Sequence, residues 1–179
     1  QKNHLKNLDD ETWLNEAMSE IAPTFLYGPS FSRIFTYEQD PSNSLTTWNG
    51  TIHDYGIAYM WSQYYKDQFG ESIFKSMMTT TSTGITSVNQ ALEAAFPGMT
   101  FDSTFNDLSI AIYSGSTPTW AGHPEWSYTS INTAPSSSGG ITLPGLLVDA
   151  NHNPTTLSAL GPWSIGFNWY EPLSLPTTT

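Results

Sequence analysis

Between Asp9 and Ala22 the apolar positions Trp13, Leu14, Ala17, Met18 and Ile21 recur at threes and fours, the period of one helix face. Asp9 or Asp10 offers an N-cap whose charge suits the positive end of a helix, and Pro23 ends the run. From Thr24 to Gly50 the punctuation by Gly28, Pro29, Pro41 and Gly50 predicts mostly loop. Thr51 to Phe69 is the strongest helical stretch, with Ile52, Tyr55, Tyr59 and Met60 at helical spacing and Gly70 as C-cap. Shorter helices are predicted over Glu71 to Met78, Ser87 to Phe96 and Ser103 to Tyr113, with Pro97-Gly98 stopping the second and Ser103 capping the third.

After Gly115 the helical period is lost. The segment is rich in Ser, Thr, Pro and Gly, and "ITLPGLLVDA" and "WSIGFNWYEP" read as strands bounded by turns. The expected fold class is therefore α+β, a helical lobe over residues 1–115 with a loop-rich β segment over 116–179 packed on it. The length of 179 residues suits one domain with a sizeable core, and aromatic residues at 14% supply bulk to fill it. No run approaches the roughly 18 apolar residues of a membrane span.

Charge narrows the candidate partners. A formal net charge of −11 repels phosphate backbones, so nucleic acid is not an expected partner. The chain has no Cys, which excludes disulfides, thiolate metal sites and Cys nucleophiles. A polar complement of Ser, Thr and Asn favours an exported protein, extracellular or in the cell envelope. The chain opens at Gln1 with no signal peptide, so a processed form or a fragment is expected.

The candidate chemistry lies in "WLNEAMSE", Trp13 to Glu20. Glu16 and Glu20 stand four apart and meet along one helix flank. The plain reading is a solvated acidic edge on a core helix; the sharper one is a metal ligand followed by a carboxylate that orients another ligand. "NEAMSE" resembles the second zinc motif of the gluzincin metallopeptidases. The longer "DDETWLNEAMSEIA", followed by "DYGIAYMWSQYYKDQFGESIF", is similar to the hyicolysin family of bacterial exported zinc peptidases, over about Gln1 to Tyr113. The resemblance implies that Glu16 is a zinc ligand and that Glu20 orients a zinc-bound His, with Asn15 and Ser19 matching the same motif. It also implies a bacterial hydrolase acting on a peptide or protein substrate, with zinc as cofactor in the complete protein.

The departure from the family pattern is that no His-Glu-x-x-His occurs in the chain. His4, His53, His123 and His152 are its histidines, and no two stand four apart. Zinc catalysis of this class needs that helix for two ligands and a general base. The implied partner is thus an N-terminal portion of the same protein, with "QKNHLKN" as the connection, and this chain alone is expected to be inactive. Tyr55, or His53 beside it, is the candidate to stabilise the oxyanion of a tetrahedral intermediate, although core packing alone would account for Tyr55. The alternative is a non-enzymatic exported surface or binding module whose Trp120, Trp126, Trp163 and Trp169 stack on sugars or peptides.

Overall fold

A computed structural model describes residues 9–114, 122–131, 136–138 and 141–143. Its elements run α1 (Thr12–Ile21), α2 (Thr24–Tyr27), α3 (Phe31–Gln39), α4 (Ile52–Phe69), α5 (Ser72–Thr79), α6 (Gly84–Ala95) and α7 (Phe101–Ser114). A single 3-10 turn (Pro124–Trp126) follows, then β1 (Ser136–Ser138) and β2 (Ile141–Leu143). The two strands pair antiparallel, Ser136 opposite Leu143. This corrects the α+β expectation. The described part is mainly helical, and a three-residue pair is not a β layer on which helices pack. The helices bury their apolar faces against one another instead. The rest of the expected β segment, including "WSIGFNWYEP", lies outside the described residues.

Helix α4 is the axis of the fold, with α1 and α3 packed along it. Its start follows from local chemistry. Thr51 and Asp54 form a reciprocal capping box, and the fully buried Asp54 carboxylate also accepts from Asn49 N at 3.0 Å and Asn43 Nδ2 at 2.6 Å. The preceding loop is thereby tied to the helix end. Gly70 closes α4 at φ 71°, a left-handed backbone suited to glycine.

The expected one-sided pattern on α4 gives way to burial all round. Every residue from Gly56 to Tyr65 is buried, whereas Ile52 at the first turn is exposed. An interior helix needs no polar face, so the spacing of Ile52, Tyr55, Tyr59 and Met60 does not mark a single buried side.

The expected loop between Thr24 and Gly50 is also corrected, because α2 and α3 form there. Ile34 and Tyr37, three apart, are fully buried, so burial of this short face outweighs the flanking Gly and Pro signals. Two helix starts move as well. Helix α6 begins at Gly84 rather than Ser87. Helix α7 is capped by Thr100, whose Oγ1 accepts the Ser103 N–H at 3.2 Å while Ser103 Oγ reaches back to Thr100 N at 3.1 Å. Ser103 is thus the third residue of the helix, paired with the Thr100 N-cap, rather than the N-cap itself.

The contact between α3 and α4 rests on Gly56. A Cβ there would lie 2.7 Å from Tyr37 N and 2.9 Å from Tyr37 Cα, inside contact distance of a backbone that cannot rotate away. In an ordinary helix interior, Gly to Ala stabilises by about 1 kcal/mol. Gly56→Ala is expected to reverse that sign and cost about 2 kcal/mol through overpacking. Urea unfolding measures it, and a stabilised variant would show that the two helices separate freely. No described helix is long and apolar enough to cross a membrane.

Candidate functional site

Helix α1 turns Trp13, Leu14, Ala17 and Ile21 into the core, which leaves Glu16 and Glu20 half-buried along its flank. Glu16 makes no hydrogen bond or ion pair among the described residues. Glu20 is committed. Arg33 of α3 grips it with both arms, Nε to Oε2 at 2.5 Å and Nη2 to Oε1 at 2.8 Å. Bidentate pairing of this kind fixes geometry as well as charge. The guanidinium also lies over the Tyr55 ring, 5.1 Å from its centroid, and Trp48 packs edge-on against the same ring at 5.0 Å.

Of the residues singled out in the sequence, Glu20 and Tyr55 are brought together, with Arg33 as the link. Tyr55 is half-buried and its hydroxyl has no hydrogen-bond partner among the described residues. Tyr59, one turn on, is different. Its hydroxyl accepts the Ser30 N–H at 2.7 Å and donates to Gln63 Oε1 at 2.9 Å, and burial raises its pKa above the ordinary phenol value. Tyr59 is therefore a tether between the α2–α3 loop and α4, and Tyr55 is the phenol left with a hydrogen to donate.

His53 does not join this cluster. Its Nδ1 lies 3.3 Å from the Thr36 carbonyl oxygen. Two positions apart on a helix, His53 and Tyr55 point in different directions. Ser19 donates its hydroxyl hydrogen to the Asn15 carbonyl of its own helix at 2.9 Å. Asn15 is half-buried beside it.

Sequence reasoning missed Arg33. It is the sole arginine of a chain with sixteen Asp and Glu, and that imbalance was the available signal for a specific pairing. Two of its N–H groups hold Glu20, and the rest of the fork stays available beside the Tyr55 phenol. Among the described residues Arg33 and Tyr55 thus keep hydrogen-bond donors without acceptors, and Glu16, one helical turn from Glu20, keeps its carboxylate without a donor.

Among the described residues no three His, Cys, Asp or Glu side chains gather where they could hold a metal ion. Glu16 fits a single place in such a set. His4 and His152 lie outside the described residues.

The aromatic binding-module alternative gains no support from Trp126. Its ring stacks on His123 at 3.8 Å and its indole N–H donates to Asp107 at 3.0 Å, so one face and the polar edge are engaged. Trp120, Trp163 and Trp169 lie outside the described residues.

The chain matches no protein-family model and no curated protein.

Proposed function

We propose that this chain is the C-terminal portion of an exported zinc metallopeptidase, with Glu16 as one metal ligand. The supporting observation is the contrast on α1. Glu16 is half-buried with no described partner, while Glu20, one turn on, is held in place by Arg33. A partly buried carboxylate with no described partner suits a ligand for a cation supplied with other groups. A carboxylate gripped bidentately keeps spare lone pairs on both oxygens, so Glu20 can still accept from an imidazole N–H.

In this reading the two His ligands and the general-base Glu lie outside the chain. Zinc, when bound, supplies an activated water for peptide hydrolysis. The contribution of the chain itself is the Glu16 carboxylate, the Glu20–Arg33 clamp and the Tyr55 phenol as donor to an oxyanion. Peptides or proteins are the substrates. The Ser, Thr and Asn content supports an extracellular or cell-envelope setting.

The test is metal content. A longer product of the same gene, purified without chelator, is expected to carry a His-Glu-x-x-His upstream of Gln1 and one zinc per chain. A gene without that motif, or a longer product free of zinc after incubation with the metal, would overturn the reading.

A further inference from the structure

A second concave site lies toward the far end of α4. Tyr55 and Tyr64 are nine positions apart, about 13 Å along a helix axis. A cavity of about 250 Å³ opens there between the end of α4, the turn after α6, the first half of α7 and the 3-10 turn. Its apolar lining includes Tyr64, Phe69, Phe96 and Met99, with Phe69 and Phe96 5.0 Å apart. Asp107 and Glu125 supply two carboxylates to the same lining.

The electrostatics are unbalanced. Among the described residues neither Lys nor Arg lines the cavity. Asp107 accepts the Trp126 indole N–H at 3.0 Å, a neutral donor. Burial pushes its pKa above the ordinary carboxylate range, so the fold opposes its charge and provides little to compensate it. The basic side chain in its field, His123, is engaged by Glu125 at 2.8 Å. A part-buried anion beside aromatic surface, in a chain of net charge −11, matches a ligand with positive charge at one end and apolar surface at the other.

We propose that this cavity binds an organic cation, an ammonium or guanidinium group on an apolar stem. The charged head sits against Asp107 and Glu125, and the stem lies on Phe69, Phe96 and Met99. Two sources share this chemistry, a free small amine and the basic side chain of a peptide. The site does not depend on the metallopeptidase reading, because it uses none of the same residues.

The test follows the Trp126 indole N–H signal by NMR, since that group is bonded to Asp107 and reports on it directly. The full chain is titrated with phenethylammonium, with N-acetyl-lysine amide and with the neutral 2-phenylethanol. A saturable shift with at least one cation, and none with the alcohol, is expected. Which cation works identifies the source. Asp107→Asn keeps the acceptor for Trp126 and removes a charge that burial disfavours, so the fold is retained while affinity falls at least tenfold. No saturable shift with either cation, an equal response to the alcohol, or unchanged affinity in Asp107→Asn would overturn the proposal.

Discussion

Glu16→Gln, in a longer form of the protein that carries a His-Glu-x-x-His helix, is expected to lose its zinc and at least about 10³-fold of its peptidase activity. The carboxamide has the size of the carboxylate but no charge, so the ligand set loses its anion while the packing is kept. Glu16 makes no described hydrogen bond or ion pair, so stability is expected to change by less than about 0.5 kcal/mol. This separation distinguishes a ligand from a structural acid. Glu20→Gln provides the contrast, because it weakens the pairing with Arg33 and costs about 1 kcal/mol of stability. Its effect on activity is expected to be about 10- to 100-fold, the range for a group that orients a ligand. Zinc stoichiometry, casein hydrolysis and urea unfolding measure the three effects. A Glu16→Gln protein that keeps zinc and activity would remove Glu16 from the mechanism.

Trp61→Ala is expected to cost about 4 kcal/mol. Trp61 is fully buried on α4 and joins three helices through its ring. It meets Trp13 of α1 edge-on at 5.3 Å, Tyr65 one turn along at 4.3 Å, and Phe101 of α7 at 6.4 Å. Truncation removes the apolar area, the ring contacts and the filler of a space that rigid aromatic neighbours cannot close. Against a total stability of about 5–15 kcal/mol, the variant would be close to unfolding at room temperature. Trp61→Phe keeps a ring and is expected to recover more than half the loss. A cost below about 2 kcal/mol for the alanine variant would mean that the neighbours collapse into the gap.

The elements legible in the sequence were those with local causes. The α1 face was readable because Trp13, Leu14, Ala17 and Ile21 all turn inward at helical spacing, and Pro23 closes the run. The start of α4 was readable because Thr51 and Asp54 cap it within a single turn. Glu16 and Glu20 as a pair on one flank were readable for the same reason.

Helix α3 was not legible, because its stability comes from Ile34 and Tyr37 reaching the core beside Gly56, and flanking Gly and Pro masked a short run. The interior position of α4 was equally hidden, since a helix surrounded by partners carries no polar face to mark its period. Of the strands expected after Gly115, the start of "ITLPGLLVDA" forms β2, and the rest lies outside the described residues.

By itself the sequence determined helices α1 and α4 to α7, the strong negative charge, the absence of thiol chemistry and the i, i+4 acid pair on α1. Tertiary structure alone decided what each acid does. Glu20 became a clamped ion pair because α3 brings Arg33, thirteen residues away, against the α1 flank, while Glu16 faces no described counter-charge. Tyr55 and Tyr59 share a helix, yet packing gives Tyr59 internal hydrogen bonds and leaves the Tyr55 hydroxyl available. Side-chain identity and spacing are properties of the chain. Burial and partnership depend on which helices cross, and that is set by the shape of the whole core.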